Sequence, residues 1–278
     1  MKPGSFARYL LGMVAAVGFL TGCDLIKFHP YEGRVKGAHH LTEKNLQQLS
    51  QANLGSSFKF AFISDTQRWY DETNEAVAAI NKRGDVDFVL HGGDLTDFGV
   101  KDEFIWMRDC LLGFRMPWLT VIGNHDFLGT GEHIYRYIFG DYNYAFTVGH
   151  YRFLILNTVA LELDYSTPVP DFEFMQKQAE YIDSLNTQTP DSIIHTVFVM
   201  HSRPGDEQFN NNVVYPFGLY LNLFPAPFCL NGHNHRLETI EPYNDGIYFY
   251  GIGEIKDRNY FLITINQDSS YEIEAIDF

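Results

Sequence analysis

Basic residues are scarce in this chain: 20 Lys and Arg stand against 35 Asp and Glu, a formal net charge of −15. Holding a nucleic-acid backbone takes clustered Lys and Arg, so no nucleic-acid partner is expected. Cysteine is scarcer still, with three in 278 residues, which excludes a disulfide framework as the source of the fold. The longest apolar run, 9–20, is too short to span a bilayer comfortably. No internal repeat is evident, which sets aside solenoids and arrays. What is present is 45% hydrophobic sequence, enough to bury a substantial core in one large domain or two small ones and too apolar for disorder.

Lys2 and Arg8 precede the apolar run, and Thr21-Gly22-Cys23 follow it, in the order of a secretory signal. A buried helix is the alternative reading of the same run. Leu20-Thr21-Gly22-Cys23 resembles a bacterial lipobox. That resemblance implies that residues 1–22 are a lipoprotein signal peptide and that Cys23 carries lipid. The protein is then exported and anchored to a bacterial membrane, on the periplasmic or outer face. Cleavage would remove two basic residues and no acid, so any attraction for a phosphate must be local. With Cys23 in the anchor, Cys110 and Cys229 are left either to pair or to stay as two buried free thiols. Residues 23–57 read as a tether with a short packing helix at 42–51, and the His39-His40 pair there reads as solvated rather than metal-binding.

From residue 58 the periodicity changes. Apolar runs at 58–63, 86–90 and 117–122 predict strands, and 73–83 and 102–112 predict helices between them. Such alternation implies parallel strands with crossovers, whose ligands gather beyond the carboxyl ends of the strands. A hairpin at 143–148 and 151–157, a helix at 171–185 and a buried strand at 193–200 follow. The β runs at 236–241, 246–252, 260–265 and 271–276 suggest a second sheet packed on the first. The expected fold is an α/β sandwich of two mixed β-sheets flanked by helices, with 58–278 as one domain.

Five blocks of oxygen and imidazole donors punctuate this region: Ser64-Asp65-Thr66-Gln67, Gly93-Asp94-Leu95-Thr96-Asp97, Gly123-Asn124-His125-Asp126, His201, and Gly232-His233-Asn234-His235. Each falls where an apolar run gives way to Gly or Asn. Taken singly, each acid is plausible turn or cap chemistry. On extended backbone, residues i and i+2 point the same way, so Asp65 with Gln67, and His233 with His235, can each aim two donors at one cavity. In order and spacing the series resembles the calcineurin-like metallophosphoesterases.

The resemblance implies two divalent metal ions. Asp65, Gln67, Asp94 and His235 would hold one, and Asp94, Asn124, His201 and His233 the other, with Asp94 bridging. Mixed carboxylate, amide and imidazole donors suit Mn, Fe, Zn or Mg better than a thiolate-seeking metal. It also implies a hydroxide activated by both ions, His125 as general acid oriented by Asp97, and Asn124 near the substrate. Most of the family has His where this chain has Gln67. An amide oxygen is the harder and weaker donor, which favours Mn or Mg at that subsite or loosens it. Phe98 stands where the protein Ser/Thr phosphatase branch has Arg, which argues against a phosphoprotein substrate. Arg203, two residues beyond His201, reads equally well as a partner for a phosphate oxygen or as an exposed loop Arg. Aromatic-rich 205–227, with Phe209, Tyr215, Phe217, Tyr220 and Phe224, reads either as a pocket cap or as a packing loop. The other histidines, His91, His133, His150 and His195, read as structural.

The expected activity is hydrolysis of a phosphomonoester or phosphodiester, on a phosphorylated small molecule or a lipid-linked substrate. A metal-binding lipoprotein with a binding or structural role and little catalysis is the second reading.

Overall fold

Strand β1 (Phe58–Ile63) sends Phe58, Phe60 and Phe62 to one face and Ala61 and Ile63 to the other, and all five are buried. A strand apolar on both faces needs a layer on each side. That requirement builds the molecule, whose computed structural model describes residues 35–160 and 169–278. The expected signal segment 1–22, the proposed lipid site Cys23 and the tether as far as residue 34 lie outside the described residues.

Strands β2 (Phe88–His91) and β3 (Trp118–Thr120) extend β1 in parallel, with helices α2 (Tyr70–Arg83) and α3 (Lys101–Leu111) as crossovers. A shorter helix, α1 (Leu41–Ala52), packs beside β3. After β3 come α4 (Gly131–Ile138) and a hairpin of β4 (Tyr144–Val148) and β5 (Tyr151–Leu156). Next are α5 (Phe172–Gln188), β6 (His195–Met200), α6 (Val214–Leu221) and β7 (Pro227–Asn231). Short strands β8 (Glu238–Ile240) and β9 (Phe249–Gly251) follow, then β10 (Asn259–Ile265) and β11 (Tyr271–Asp277). One sheet has the order β11-β10-β1-β2-β3 and the other β4-β5-β6-β7-β9-β8. Both are mixed, as expected: β1, β2 and β3 run parallel, as do β5, β6, β7 and β9, with β10 antiparallel to both its neighbours in the first sheet and β4 and β8 antiparallel at the edges of the second.

The inner core lies between the sheets, where Phe60, Phe62, Phe88 and Leu90 meet Phe146, Phe153, Val197, Val199, Phe228 and Leu230. Helices α2, α3 and α4 cover the outer face of the first sheet through Ile80, Phe104, Met107 and Ile134. Helices α5 and α6 cover the second through Met175, Ile182, Phe217 and Leu221. The layers are therefore helix, sheet, sheet, helix.

Two features differ from the sequence expectation. The C-terminal β runs do not together make the second sheet: β8 and β9 join it, but β10 and β11 pair back beside β1. Phe261, Ile263 and Ile265 of β10 enter the inner core from that position. The stretch 205–227 packs against the core, as one of its two readings had it, but through a helix rather than as a loop alone. It contains α6, and Phe209, Phe217 and Phe224 are buried in the outer core. Its Pro216 and Gly218 hide a helix from propensity, and burial of Phe217 and Leu221 overrides that bias. Cys110 and Cys229 are free thiols, the first half-buried and the second buried, on α3 and β7 in different layers. Among the described residues no helix is long and apolar enough to cross a membrane.

Phe153 is fully buried and meets Phe146, Phe60 and Phe88 at ring-centroid distances of 4.8, 5.4 and 5.6 Å. Phe153→Ala is expected to cost about 3–5 kcal/mol of stability, read as a fall in the urea midpoint. Tyr215→Ala, at a residue 73% exposed, should leave that midpoint within about 0.5 kcal/mol of wild type.

Candidate metal centre

All five donor blocks sit just past the carboxyl ends of parallel strands, three on the first sheet and two on the second. Asp65 and Gln67 follow β1, Asp94 follows β2, and Asn124 and His125 follow β3; His201 follows β6, and His233 and His235 follow β7. The loops are tied to each other before any side chain acts. Asp65 N–H donates to the Gly93 carbonyl and Gln67 N–H to that of Asp94, both at 3.0 Å. The Asp126 carboxylate, fully buried, accepts from the N–H groups of Leu95, Thr96 and Gly123 and from the Thr96 hydroxyl, at 2.9–3.2 Å. Burial and the nearby Asp94 charge raise its pKa, and these donors oppose the rise. His91 joins β2 to the first loop. Its Nδ1 accepts from Gly93 N–H, so Nε2 carries the hydrogen that faces Thr66 Oγ1 at 2.9 Å. His91 is structural in this geometry, and burial holds it neutral.

The donors converge, but not from extended backbone. Asp65, Gln67, Asp94, His233 and His235 have φ of 53°, 25°, 56°, 71° and 52°. Left-handed backbone is unfavourable for residues with a Cβ, and it persists where surrounding bonds over-determine it. Close packing of backbone against donors completes the arrangement. A Cβ on Gly123 would lie 2.1 Å from Asp94 Oδ1, and one on Gly232 2.1 Å from Ser64 Oγ, so both positions require glycine.

Asp94, His201 and His233 bring ligand atoms within 4.8 Å of one another, and so do Asp65, Asp94 and His235. Asp94 belongs to both groups. His201 Nδ1 faces the Gly92 carbonyl at 2.9 Å, which only accepts, so Nδ1 carries hydrogen and Nε2 points inward. There Nε2 lies 3.0 Å from Asn124 Oδ1, 3.2 Å from His233 Nδ1 and 3.3 Å from Asp94 Oδ2. His233 Nδ1 is itself 3.0 Å from Asn124 Oδ1. Lone pairs facing one another at such distances repel unless something cationic sits among them. The donor set therefore fits a divalent ion. A proton can take that place: burial works against a charged His201, but the charge and hydrogen bond of Asp94 outweigh it and raise the His201 pKa. The same partnership lowers that of Asp94 against its own burial.

A family model described as calcineurin-like phosphoesterase matches residues 58–237. The chain belongs to the calcineurin-like phosphoesterases. It is thereby a phosphoric ester hydrolase by family, and every donor named above lies inside the matched segment. Among solved structures, it resembles GAP50, the anchor in the inner membrane complex of Plasmodium, at 13% identity and a TM-score of 0.57, over 80% of this chain and 85% of that one. Purple acid phosphatase PPD1 from yellow lupin aligns at 17% identity and a TM-score of 0.57, over 81% of this chain and 52% of that one. The 5'-nucleotidase of Candida albicans aligns at 14% and 0.53, again over 81% and 52%. This phosphoesterase thus spans about half the length of the last two, and the likeness is one of fold. No curated protein matches it in sequence.

The remaining candidate residues of this phosphoesterase fall in less expected places. His125 lies beside the centre, its N–H donating to Asp94 Oδ1 at 2.9 Å. Its ring Nδ1 donates to the main-chain carbonyl of Asp97 at 2.7 Å, not to the Asp97 carboxylate, which pairs with Arg68. Because a carbonyl only accepts, Nε2 is the nitrogen left to act. Gln67 meets the centre through its amide, whose N–H donates to Asp94 Oδ2 at 3.0 Å. Arg203 is not poised for a phosphate. Its guanidinium, 11% exposed, is held by Glu238 at 2.9 Å and Asp206 at 3.3 Å. Those two acids also accept from Asn234 at 3.0 Å, so the cluster anchors the residue between His233 and His235. His39 stacks on Tyr137 at 5.0 Å, away from the donors. Sequence reading overlooked Arg68 and Glu254. Arg68 directly follows a donor block and was legible as a neighbour, whereas Glu254 sits outside every motif and carries no local signal.

An ion that takes His201 Nε2 must displace the proton that Asp94 stabilises there. Metal affinity is therefore expected to rise from about pH 6 to about pH 8, by about tenfold per pH unit for one displaced proton. Calorimetry in buffers of differing ionisation enthalpy would show the released proton, and affinity independent of pH would contradict the assignment.

Proposed function

We propose that this phosphoesterase hydrolyses a phosphomonoester or phosphodiester at a centre of two divalent ions, with His125 as general acid. The observation that carries this reading is the buried Asp94 carboxylate, common to two donor groups. One group is Asp65, Asp94 and His235 with Gln67 at its edge; the other is Asp94, His201 and His233 with Asn124. A bound pair of Mn, Fe, Zn or Mg ions would supply an acidified water as nucleophile and offset the charge of the phosphate oxygens. The protein's own part is positional. Asp94 and Asn124 set the spacing of the donors, and Asn124 also borders the substrate. His125, with Nδ1–H on the Asp97 carbonyl, presents Nε2 to the leaving oxygen and delivers its proton there when protonated.

The substrate is a phosphorylated small molecule or a lipid-linked phosphate, at a bacterial membrane that the chain reaches through lipid on Cys23. The order of residues in 1–23 supports that placement. A second reading, metal retention with a binding or structural role, is favoured by the fold shared with the Plasmodium anchor and by the amide at Gln67 in place of an imidazole.

Hydrolysis of mono- and bis-aryl phosphates by the Mn-loaded protein separates the two readings, with Asp94→Asn as the metal-depleted control. On the enzymatic reading, His125→Ala keeps its metal and loses about 10²–10⁴-fold in kcat, with the largest loss for the least acidic leaving alcohol. Metal loss in His125→Ala would reassign the residue, and a fully loaded but inactive wild type would favour the binding role.

A further inference from the structure

The two donor groups are unequally supported. Around Asn124 stand two imidazoles: His201, fully buried and fixed through Nδ1 to the Gly92 carbonyl, and His233. The other group has one imidazole, His235, whose side chain is 38% exposed. Gln67 turns an N–H rather than an oxygen toward the shared Asp94. Occupancy of this subsite therefore depends on how firmly His235 is held.

Part of what holds His235 lies beyond the segment shared with the family, which ends at 237. Its Nε2 is 3.2 Å from Asp65 Oδ1, and its Nδ1 is 3.5 Å from Glu254 Oε1. The Glu254 side chain is 9% exposed. Trp69 Nε1–H donates to its Oε2 at 3.0 Å, and Lys256 Nζ pairs with its Oε1. Trp69 is two residues beyond Gln67, and the Lys256 ammonium lies 5.7 Å from the Trp69 ring centroid. Ile255 N–H reaches the Asp65 carbonyl at 3.4 Å, so the segment carrying Glu254 is tied to the first donor block. Tucked behind the imidazole, the carboxylate is itself anchored from two elements. Without an ion, Nε2–H donates to Asp65 Oδ1; once an ion took the place of that hydrogen, the accepting Glu254 carboxylate would favour hydrogen on Nδ1 and so leave the Nε2 lone pair for the ion. A carboxylate behind a ligating histidine also strengthens it as a donor.

We propose that Glu254 is the positioning residue of the Asp65–Asp94–His235 subsite, holding His235 so that this weaker subsite keeps its divalent cation. The proposal rests on the two-ion reading above. Glu254 touches neither substrate nor reacting atoms; it acts through His235.

The test measures metal on the full chain, loaded with Mn²⁺ or Zn²⁺ and desalted, by elemental analysis and chelator competition. Wild type is expected to hold two ions. Glu254→Gln, which keeps size and loses the charge, should hold one as tightly as wild type and the other about 10–100-fold more weakly. Adding Gln67→His to Glu254→Gln should recover part of that loss, because a second imidazole then serves the same subsite; a purely structural role would not respond to it. The ion-free melting temperature of Glu254→Gln should match wild type. Two ions held equally tightly in Glu254→Gln, or a lowered ion-free melting temperature with unchanged affinity, would overturn the role of Glu254. A wild type that binds no second ion would instead overturn the two-ion reading itself.

Discussion

A carboxylate that is 1% exposed cannot stand uncompensated, and Asp94 is such a group. Its surroundings answer that constraint. Gln67 and the His125 amide donate to its oxygens, His201 approaches from the other sheet, and Gly123 is small enough to press its backbone against it. The compensation that divalent ions would complete is already half-built by groups from three loops. Without ions, a proton on His201 serves in their place. The same buried negative charge thus organises the loops, selects for cations and sets the protonation of its neighbours.

This arrangement is possible because the two sheets are locked face to face. His201, His233 and His235 leave the second sheet, and Asp65, Gln67, Asp94 and Asn124 leave the first. Their spacing is inherited from the packing of Phe60, Phe88, Phe146 and Phe153 between the sheets. Sliding one sheet on the other would separate His201 from Asp94 directly. Interiors packed at crystal-like density resist such sliding, which is why an apolar core some distance from the chemistry governs donor geometry.

Support for the donors comes from groups that lie behind them. Asp126 gathers N–H groups from the loops after β2 and β3, and the Arg203, Asp206, Asn234 and Glu238 cluster fastens the loop between His233 and His235. Glu254, in the C-terminal segment and held by Trp69 from beside the first donor block, does the same for His235. Left-handed backbone at five of the donor residues is unfavourable without such bracing. The bracing and the strain are two sides of one design in which donors arrive pre-aimed.

The sequence by itself determined the alternation of strands and helices, the two mixed sheets, the family, and the five blocks with their donors at strand ends. Each rests on local periodicity or on residue types at fixed spacing, which a linear chain displays openly. Tertiary structure alone decided which atoms of those residues meet. It turned Asp65, Gln67, His233 and His235 through left-handed backbone rather than extended, and it gave His125 the Asp97 carbonyl while Arg68 took the carboxylate. Arg203 was drawn into an ion-paired cluster, Phe209, Phe217 and Phe224 into a core, β10 and β11 back to the first sheet, and Glu254 behind His235. Partners of this kind lie as far apart as Trp69 and Glu254. The choice among them is made by packing and by the need to satisfy buried charge, neither of which local pattern records.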